Sequence, residues 1–172
     1  MDREALLERL ERTAAALDEH GRADAGELAK RYGPDKWSVA EILAHLADAE
    51  VVNYWRLART VSQPGEDVGT FDERRWAATL DYAGRPAEIS RALLLANRRA
   101  LIHYVRTLPD EVLRRPGTHP EKGTMTGWEW ADLIAAHTEH HLDQIVAARE
   151  GTPWVPRDRP DSWRYRGLPR PV

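Results

Sequence analysis

Residues 126–151 carry the clearest structural signal in this chain, and they read TGWEWADLIAAHTEHHLDQIVAAREG. The spacing Thr126-x-x-Glu129 is that of a capping box, which marks the start of a helix. Gly151 marks its end, since glycine commonly follows the last residue of a helix. Between these signals one helix face carries mostly apolar residues and two histidines, namely Trp130, Leu133, Ile134, His137, His141, Ile145 and Ala148. We therefore predict a long amphipathic helix whose buried face includes both histidines.

Comparable signals predict three further long helices. Their starts are marked by an aspartate cap, a Ser-x-x-Glu capping box and a proline, at Asp2, Ser38 and Pro86. Their ends are marked by turn-forming residues, at Gly21, Gln63-Pro64-Gly65 and Leu108-Pro109. Short helical segments are predicted at residues 27–32 and 71–79.

The fold predicted from these elements is all-α. No segment alternates β-branched and polar residues over a useful length, and residues 115–123 are expected to form turns only. We predict one domain, a four-helix bundle over residues 1–150 with a simple up-and-down helix order. Residues 151–172 contain five prolines, five arginines and two tryptophans, and are predicted to form an irregular arm, packed or disordered, that is no separate domain.

Composition excludes several classes of function. The 25 basic and 28 acidic residues are interspersed and give a net charge of -3, which argues against a nucleic-acid partner. The chain contains no cysteine, so it has no disulfide, thiolate metal site or cysteine nucleophile. No signal peptide or membrane span is readable. We therefore expect a soluble protein in the reducing cytoplasm, acting on a small molecule.

Three histidines are candidate metal ligands. His137 and His141 are four residues apart and share a helix face, whereas His140 is turned about 100° away from His141. His45 flanks the buried stripe of the second long helix and can reach them if the two helices face each other. Spacing alone leaves open both a metal site and three hydrogen-bonded buried histidines. The pattern is not His-Glu-x-x-His, which disfavours a zinc peptidase.

Three segments together resemble the DinB-like superfamily, including its YfiT-like metal-dependent hydrolases. They are WSVAEILAHLADAE (37–50), HPEKGTMT (119–126) and HTEHHLDQI (137–145). The resemblance covers about residues 1–150 and implies a four-helix bundle, frequently a homodimer. It also implies a divalent metal, nickel or zinc, held by three histidines that match His45, His137 and His141. The chain departs from the family at Leu142-Asp143, where relatives often carry Arg-Gly, and in its C-terminal arm.

Polar neighbours of these histidines are candidates for proton transfer or ligand orientation: Asp48, Gln144 and Glu50. An ordinary surface or capping role is open for each. His140 is expected beside the site or exposed, and His119 can equally be a loop histidine without chemistry. Five tryptophans are expected to pack in the core, namely Trp37, Trp55, Trp76, Trp128 and Trp130. Four arginines are expected to be solvated, with anion binding as the alternative, namely Arg74, Arg75, Arg98 and Arg99.

Three functional classes remain open at this point. A three-histidine site leaves a coordination position free and suits catalysis, by metal-activated water or by a metal-activated low-molecular-weight thiol as in thiol-dependent members of the superfamily. The third class is a non-catalytic metal-binding or stress-response module. Dimerisation is expected from the resemblance and from Trp154 and Trp163 in the arm, which have the character of interface anchors.

Overall fold

The computed structural model describes residues 2–155, and in that range it is a helical bundle. The helices are α1 (Arg3–His20), α2 (Ala25–Leu28), α3 (Val39–Ser62), α4 (Glu73–Thr79), α5 (Ala87–Thr107), α6 (Asp110–Leu113) and α7 (Gly127–Glu150). A two-stranded antiparallel hairpin, β1 (Pro116–His119) and β2 (Gly123–Thr126), precedes α7. The prediction of an all-α four-helix bundle is confirmed by α1, α3, α5 and α7. No helix among the described residues has the length and apolar character needed to cross a bilayer.

Helix ends follow the capping signals of the sequence. Ser38 and Glu41 form a reciprocal capping box at the start of α3, and Thr126 and Glu129 form another at the start of α7. Gly151 ends α7 in the left-handed conformation, with φ of 68°. The minor helices are shorter than predicted, at Ala25–Leu28 and Glu73–Thr79, and α6 was not predicted because four residues carry no periodicity.

The helix order around the bundle differs from the prediction. α3 packs against α5 and α7, and α1 packs against the same two helices, so that α1 lies diagonally opposite α3. In a simple up-and-down bundle consecutive helices are neighbours, so that prediction was wrong. The connections at residues 21–38 and 108–126 are long enough to cross the bundle end, which permits the diagonal arrangement. The order makes α3 and α7, the two helices with the candidate histidines, direct neighbours.

The hairpin is a second departure, because residues 115–123 were expected to form turns only. Each strand has four residues, too few for a readable alternation, and the strands are secured by tertiary contacts. Thr118 also exchanges backbone hydrogen bonds with Glu66 and Val68. A Cβ atom at Gly117 would collide with the side chain of Thr60, so only glycine lets the hairpin lie this close to α3.

The core consists of two apolar clusters separated by a layer of buried polar residues. One cluster includes Leu57, Leu101 and Trp130, and the other includes Leu43, Leu94 and Ile145. Between them along the four long helices lie buried polar side chains: Thr13, His45, Glu50, Arg98, His137, Thr138 and His141. The candidate site therefore occupies the middle of the bundle.

Candidate metal centre

Three imidazoles converge where α3 faces α7. The Nε2 atom of His137 lies 3.2 Å from Nε2 of His45 and 3.1 Å from Nε2 of His141. All three side chains are buried, with at most 7 % of each residue exposed. Their nearest ligand atoms lie within 4.8 Å of one another. The one-turn spacing of His137 and His141 explains their pairing, and the packing of α3 on α7 adds His45.

The convergence of three Nε2 atoms fits a bound cation better than a hydrogen-bonded cluster. Nδ1–H of His141 donates a hydrogen bond to Oε1 of Gln144, with 2.7 Å between the two atoms, so Nε2 of His141 is unprotonated and carries a lone pair. A proton on Nε2 of His137 can bridge to only one of its two neighbours. Three neutral imidazole nitrogens facing one point are the donor set that zinc and nickel bind.

Burial keeps these histidines neutral. It lowers the pKa of His45 to about 4, and it lowers the pKa values of His137 and His141 well below their ordinary value. Neighbouring imidazoles lower the pKa of His137 and His141 further, because a second positive charge in the cluster is unfavourable. Neutral imidazole is the form that binds a metal ion.

His45 is oriented by aromatic packing. Its ring lies 4.9 Å from the ring of Trp37 and 6.3 Å from that of Phe71, with the Phe71 ring nearly parallel to it. Its Nδ1 atom is buried and has no hydrogen-bond partner among the described residues. Trp37 also packs against the apolar cluster that includes Leu43, as the sequence predicted, so it contacts both the core and the site.

One of the three polar candidates hydrogen-bonds a histidine of the cluster, and the charge of a second, Asp48, raises the pKa of His45 in part. Gln144 contacts His141 directly and also lies 3.4 Å from His140. Asp48 is instead paired with Arg85, with contacts of 2.7 and 3.0 Å.

Glu50 forms a buried two-point ion pair with Arg98, at 2.6 and 2.9 Å. Arg98 also donates to Thr13 and Thr138, so this network joins all four long helices. Neither Asp48 nor Glu50 belongs to the histidine cluster. The expectation that Arg98 is solvated was wrong, because Arg98 is fully buried.

The other aromatic candidates divide between core and surface. Trp128 and Trp130 are buried as expected, but Trp55 and Trp76 are 46 % and 37 % exposed. Trp154 contacts the rings of Tyr32 and His140 within its own chain. The rest of the predicted arm, including Trp163, lies outside the described residues.

Two residues were missed or undervalued by the sequence reasoning. Oε2 of Glu73 lies 3.9 Å from Nε2 of His45, at the start of α4. Asp72 caps α4, so Glu73 is the first residue of this helix. His119, at the end of β1, is buried and lines the same cavity as His45 and His137.

Two cavities open beside the cluster. The larger, of about 420 Å³, is bounded by His45 and His137, and the other, of about 410 Å³, by His141 and Gln144. Glu73 and Arg74 border both. Of the four arginine candidates, only Arg74 lines either cavity.

The sequence pattern of the DinB superfamily matches residues 2–145. The chain belongs to the DinB superfamily. Two bacterial relatives are each named as a candidate metal-dependent hydrolase. The protein from Oceanobacillus iheyensis is 29 % identical over 128 residues, covering 74 % of each chain. The protein from Halalkalibacterium halodurans is 28 % identical over 143 residues, covering 83 % of this chain and 80 % of its own.

Two solved structures show a similar fold. YfiT from Bacillus subtilis, titled a candidate metal-dependent hydrolase with an unusual four-helix bundle topology, superposes with a TM-score of 0.79 at 24 % identity over 89 % of both chains. A mycothiol-dependent maleylpyruvate isomerase superposes with a TM-score of 0.69 at 12 % identity, covering 84 % of this chain and 61 % of the other. Both likenesses concern the fold.

Proposed function

We propose that this protein is a metal-dependent enzyme in which His45, His137 and His141 hold a divalent ion, nickel or zinc, that activates water or a low-molecular-weight thiol. The observation that carries the proposal is the convergence of three buried Nε2 atoms at one point. An ion with three neutral nitrogen ligands supplies Lewis acidity and lowers the pKa of a bound water or thiol.

The chain's own residues prepare the site. Gln144 holds His141 with its Nε2 lone pair directed at the cluster, and Trp37 and Phe71 hold the ring of His45. Oε2 of Glu73 is the carboxylate oxygen near Nε2 of His45, and we assign it the role of accepting a proton from the activated nucleophile. The chain has no cysteine nucleophile, and we assign the nucleophile to a molecule bound at the metal.

Hydrolysis and thiol transfer are the two candidate reactions. The names of the relatives favour hydrolysis. Two observations favour thiol transfer: the cavities on either side of Glu73 and Arg74 offer room for two reactants at one cluster, and the isomerase that shares the fold is mycothiol-dependent. A non-catalytic metal-binding or stress-response module is the alternative.

Substrate panels distinguish these functions. Nickel- or zinc-loaded protein is assayed with simple esters, amides and lactones, and with epoxides or aryl halides plus glutathione, bacillithiol or mycothiol. Turnover in water alone supports hydrolysis, and turnover that requires a thiol supports transfer. Activity should disappear on metal removal and in His137→Ala. Activity that survives both contradicts the metal mechanism, and a metal-loaded protein inactive in both panels supports the binding module.

A further inference from the structure

The inner wall of the larger cavity carries a group of hydrogen-bond donors that the metal chemistry does not use. They are Asn53, Arg56, His119 and Lys122, from α3 and the hairpin region. Arg56 is 6 % exposed and His119 is 3 % exposed, while Lys122 is half-buried. The cavity that they line is the one bounded by His45 and His137.

Arg56 is a buried cation whose contacts within residues 2–155 include no carboxylate. Its Nε donates to the carbonyl of Val68 at 3.3 Å, and Nη2 donates to that of Gly69 at 2.9 Å. Nη1 donates to Oδ1 of Asn53 at 3.2 Å. A guanidinium has five N–H donors, so one remains on each of Nη1 and Nη2. Two adjacent donors are the geometry that binds a carboxylate or phosphate at two points.

Burying a guanidinium without a neighbouring anion is unfavourable, because the charge loses its hydration. Burial accordingly lowers the pKa of Arg56 to about 10, which leaves it charged at neutral pH. Arg98, the other buried arginine of the bundle, has Glu50 as its anion. The guanidinium of Arg56 lies 5.4 Å from the ring of Trp130, and the charge of the exposed Glu121 raises its pKa in part. No carboxylate of residues 2–155 forms an ion pair with Arg56, so its free N–H donors are available to an external anion.

His119 and Lys122 add two donors to this wall. Nδ1 of His119 accepts the backbone N–H groups of Glu121 and Lys122, at 3.1 and 3.2 Å, so its proton lies on Nε2. Burial lowers the pKa of His119, and the charges of Arg56 and Lys122 lower it further. The imidazole is therefore a neutral donor at neutral pH, beside two cations.

The acidic residues of the cavity lie at its solvent side. Asp72, Glu73 and Glu121 are exposed, whereas Arg56 and His119 are buried. Electrostatic interactions are stronger at the buried wall of the cavity, because water screens charges less there. Apolar side chains from Ala49 and Leu133 line the same space.

We propose that this cavity binds the anionic oxygen group, a carboxylate or a phosphate, of a small substrate with an apolar body. Arg56 binds the group at two points, and His119 Nε2–H and Lys122 complete its coordination. The remainder of the substrate then lies against the face that His45 and His137 border. That the bound anion is the substrate rests on the proposed function, whereas the anion site itself does not require the metal.

Calorimetric titration of the metal-free full-length protein tests the site without direct coordination of the probe to a metal. The probes are benzoate, phenyl phosphate and the neutral benzamide. We expect one or both anions to bind at least about tenfold more tightly than benzamide, since hydrogen bonds between two charged groups are stronger than those to a neutral amide. The stronger anion identifies the oxygen group.

Variants then locate the binding. Arg56→Gln should weaken anion binding about tenfold or more, since both the positive charge and the pair of N–H donors are lost. Lys122→Gln should weaken it less, and Arg56→Lys should retain part of it. Arg59→Gln is the matched control, one turn further along α3. Like Arg56, Arg59 donates a hydrogen bond to the 66–69 segment, at the carbonyl of Asp67, but it does not line the cavity. Thermal unfolding of each variant checks that it is folded.

Equal binding of benzoate and benzamide, or no anion binding at millimolar concentration, overturns the proposal. Anion binding that is unchanged in folded Arg56→Gln also overturns it. Failure of the proposed function has a different readout, namely absence of metal from the purified protein, and leaves these titrations unaffected.

Discussion

Gln144 and His141, three residues apart on α7, are joined by a 2.7 Å contact between Oε1 and Nδ1. The acceptor determines which nitrogen of His141 carries the proton, and so directs the unprotonated Nε2 at His137. Replacing Gln144 with alanine should weaken metal binding about 10–100-fold, as is usual for loss of a partner that orients a ligand. Competition with a chromophoric chelator measures the affinity.

Gln144→Glu is the control for this effect, because a carboxylate keeps an acceptor for Nδ1–H. It should bind metal more tightly than Gln144→Ala. Equal affinities of wild type and Gln144→Ala would show that the contact does not orient His141.

The ligand assignment predicts that His45→Ala, His137→Ala and His141→Ala each lose most of the bound metal. A site with three nitrogen ligands retains little affinity with two. Elemental analysis should find about one divalent ion per chain in the wild type. His140→Ala is the control, since His140 contacts Trp154 and Gln144 and is outside the cluster, and it should keep the ion. An equal loss of metal in His140→Ala would contradict the assignment of His45, His137 and His141 as the ligands.

Acid should destabilise the metal-free protein through the buried histidines. The pKa of His45 is about 4 in the folded protein and near the ordinary 6.5 when unfolded, and those of His137 and His141 are lowered in the same direction. Between about pH 4 and 6.5 the unfolded state therefore binds more protons than the folded state. The free energy of unfolding then falls as the pH drops from about 6.5 towards 4. Each histidine contributes up to about 1.4 kcal/mol per pH unit.

Urea unfolding in the presence of a chelator, at several pH values, measures this slope. His45→Gln should reduce the slope, and replacing the exposed His103 with glutamine should leave it unchanged. A slope in His45→Gln as steep as that of the wild type would contradict the assignment of the acid sensitivity to the cluster.

Glu50 is predicted to act on stability, through Arg98. Glu50→Gln leaves a fully buried guanidinium without its counter-ion and should lower the free energy of unfolding by about 3–5 kcal/mol. The matched control is Glu11→Gln, which breaks the exposed pair with Arg106 on the same helix, α5, and should cost less than about 1 kcal/mol. Denaturant unfolding compares the two. If folded Glu50→Gln is as stable as the control but inactive, Glu50 acts in catalysis.

The homodimer stays a prediction, which light scattering of the full chain at micromolar concentration can test. We expect about twice 19.6 kDa. Trp154 packs against Tyr32 and His140 of its own chain, whereas Val155 of the arm is exposed. A monomeric mass would rule out the dimer under these conditions.

The sequence by itself determined the four long helices and the pairing of His137 with His141. Both depend on local relations: the capping boxes at Ser38 and Thr126 start their helices through groups three residues apart. Residues four apart on a helix meet wherever that helix is packed. The stripe of α7 also predicted the buried face of that helix, since all of its residues are buried.

Only the tertiary structure decided which side chains from different elements meet. Asp48 and Glu50 are close to His45 in sequence, yet Arg85 and Arg98 bind their carboxylates. Arg56 and Glu73 gain their place at the site from the positions of the 66–69 segment and of α4. These contacts depend on the diagonal helix order and on how each helix is rotated about its axis, and a spacing pattern within one helix contains no information on either.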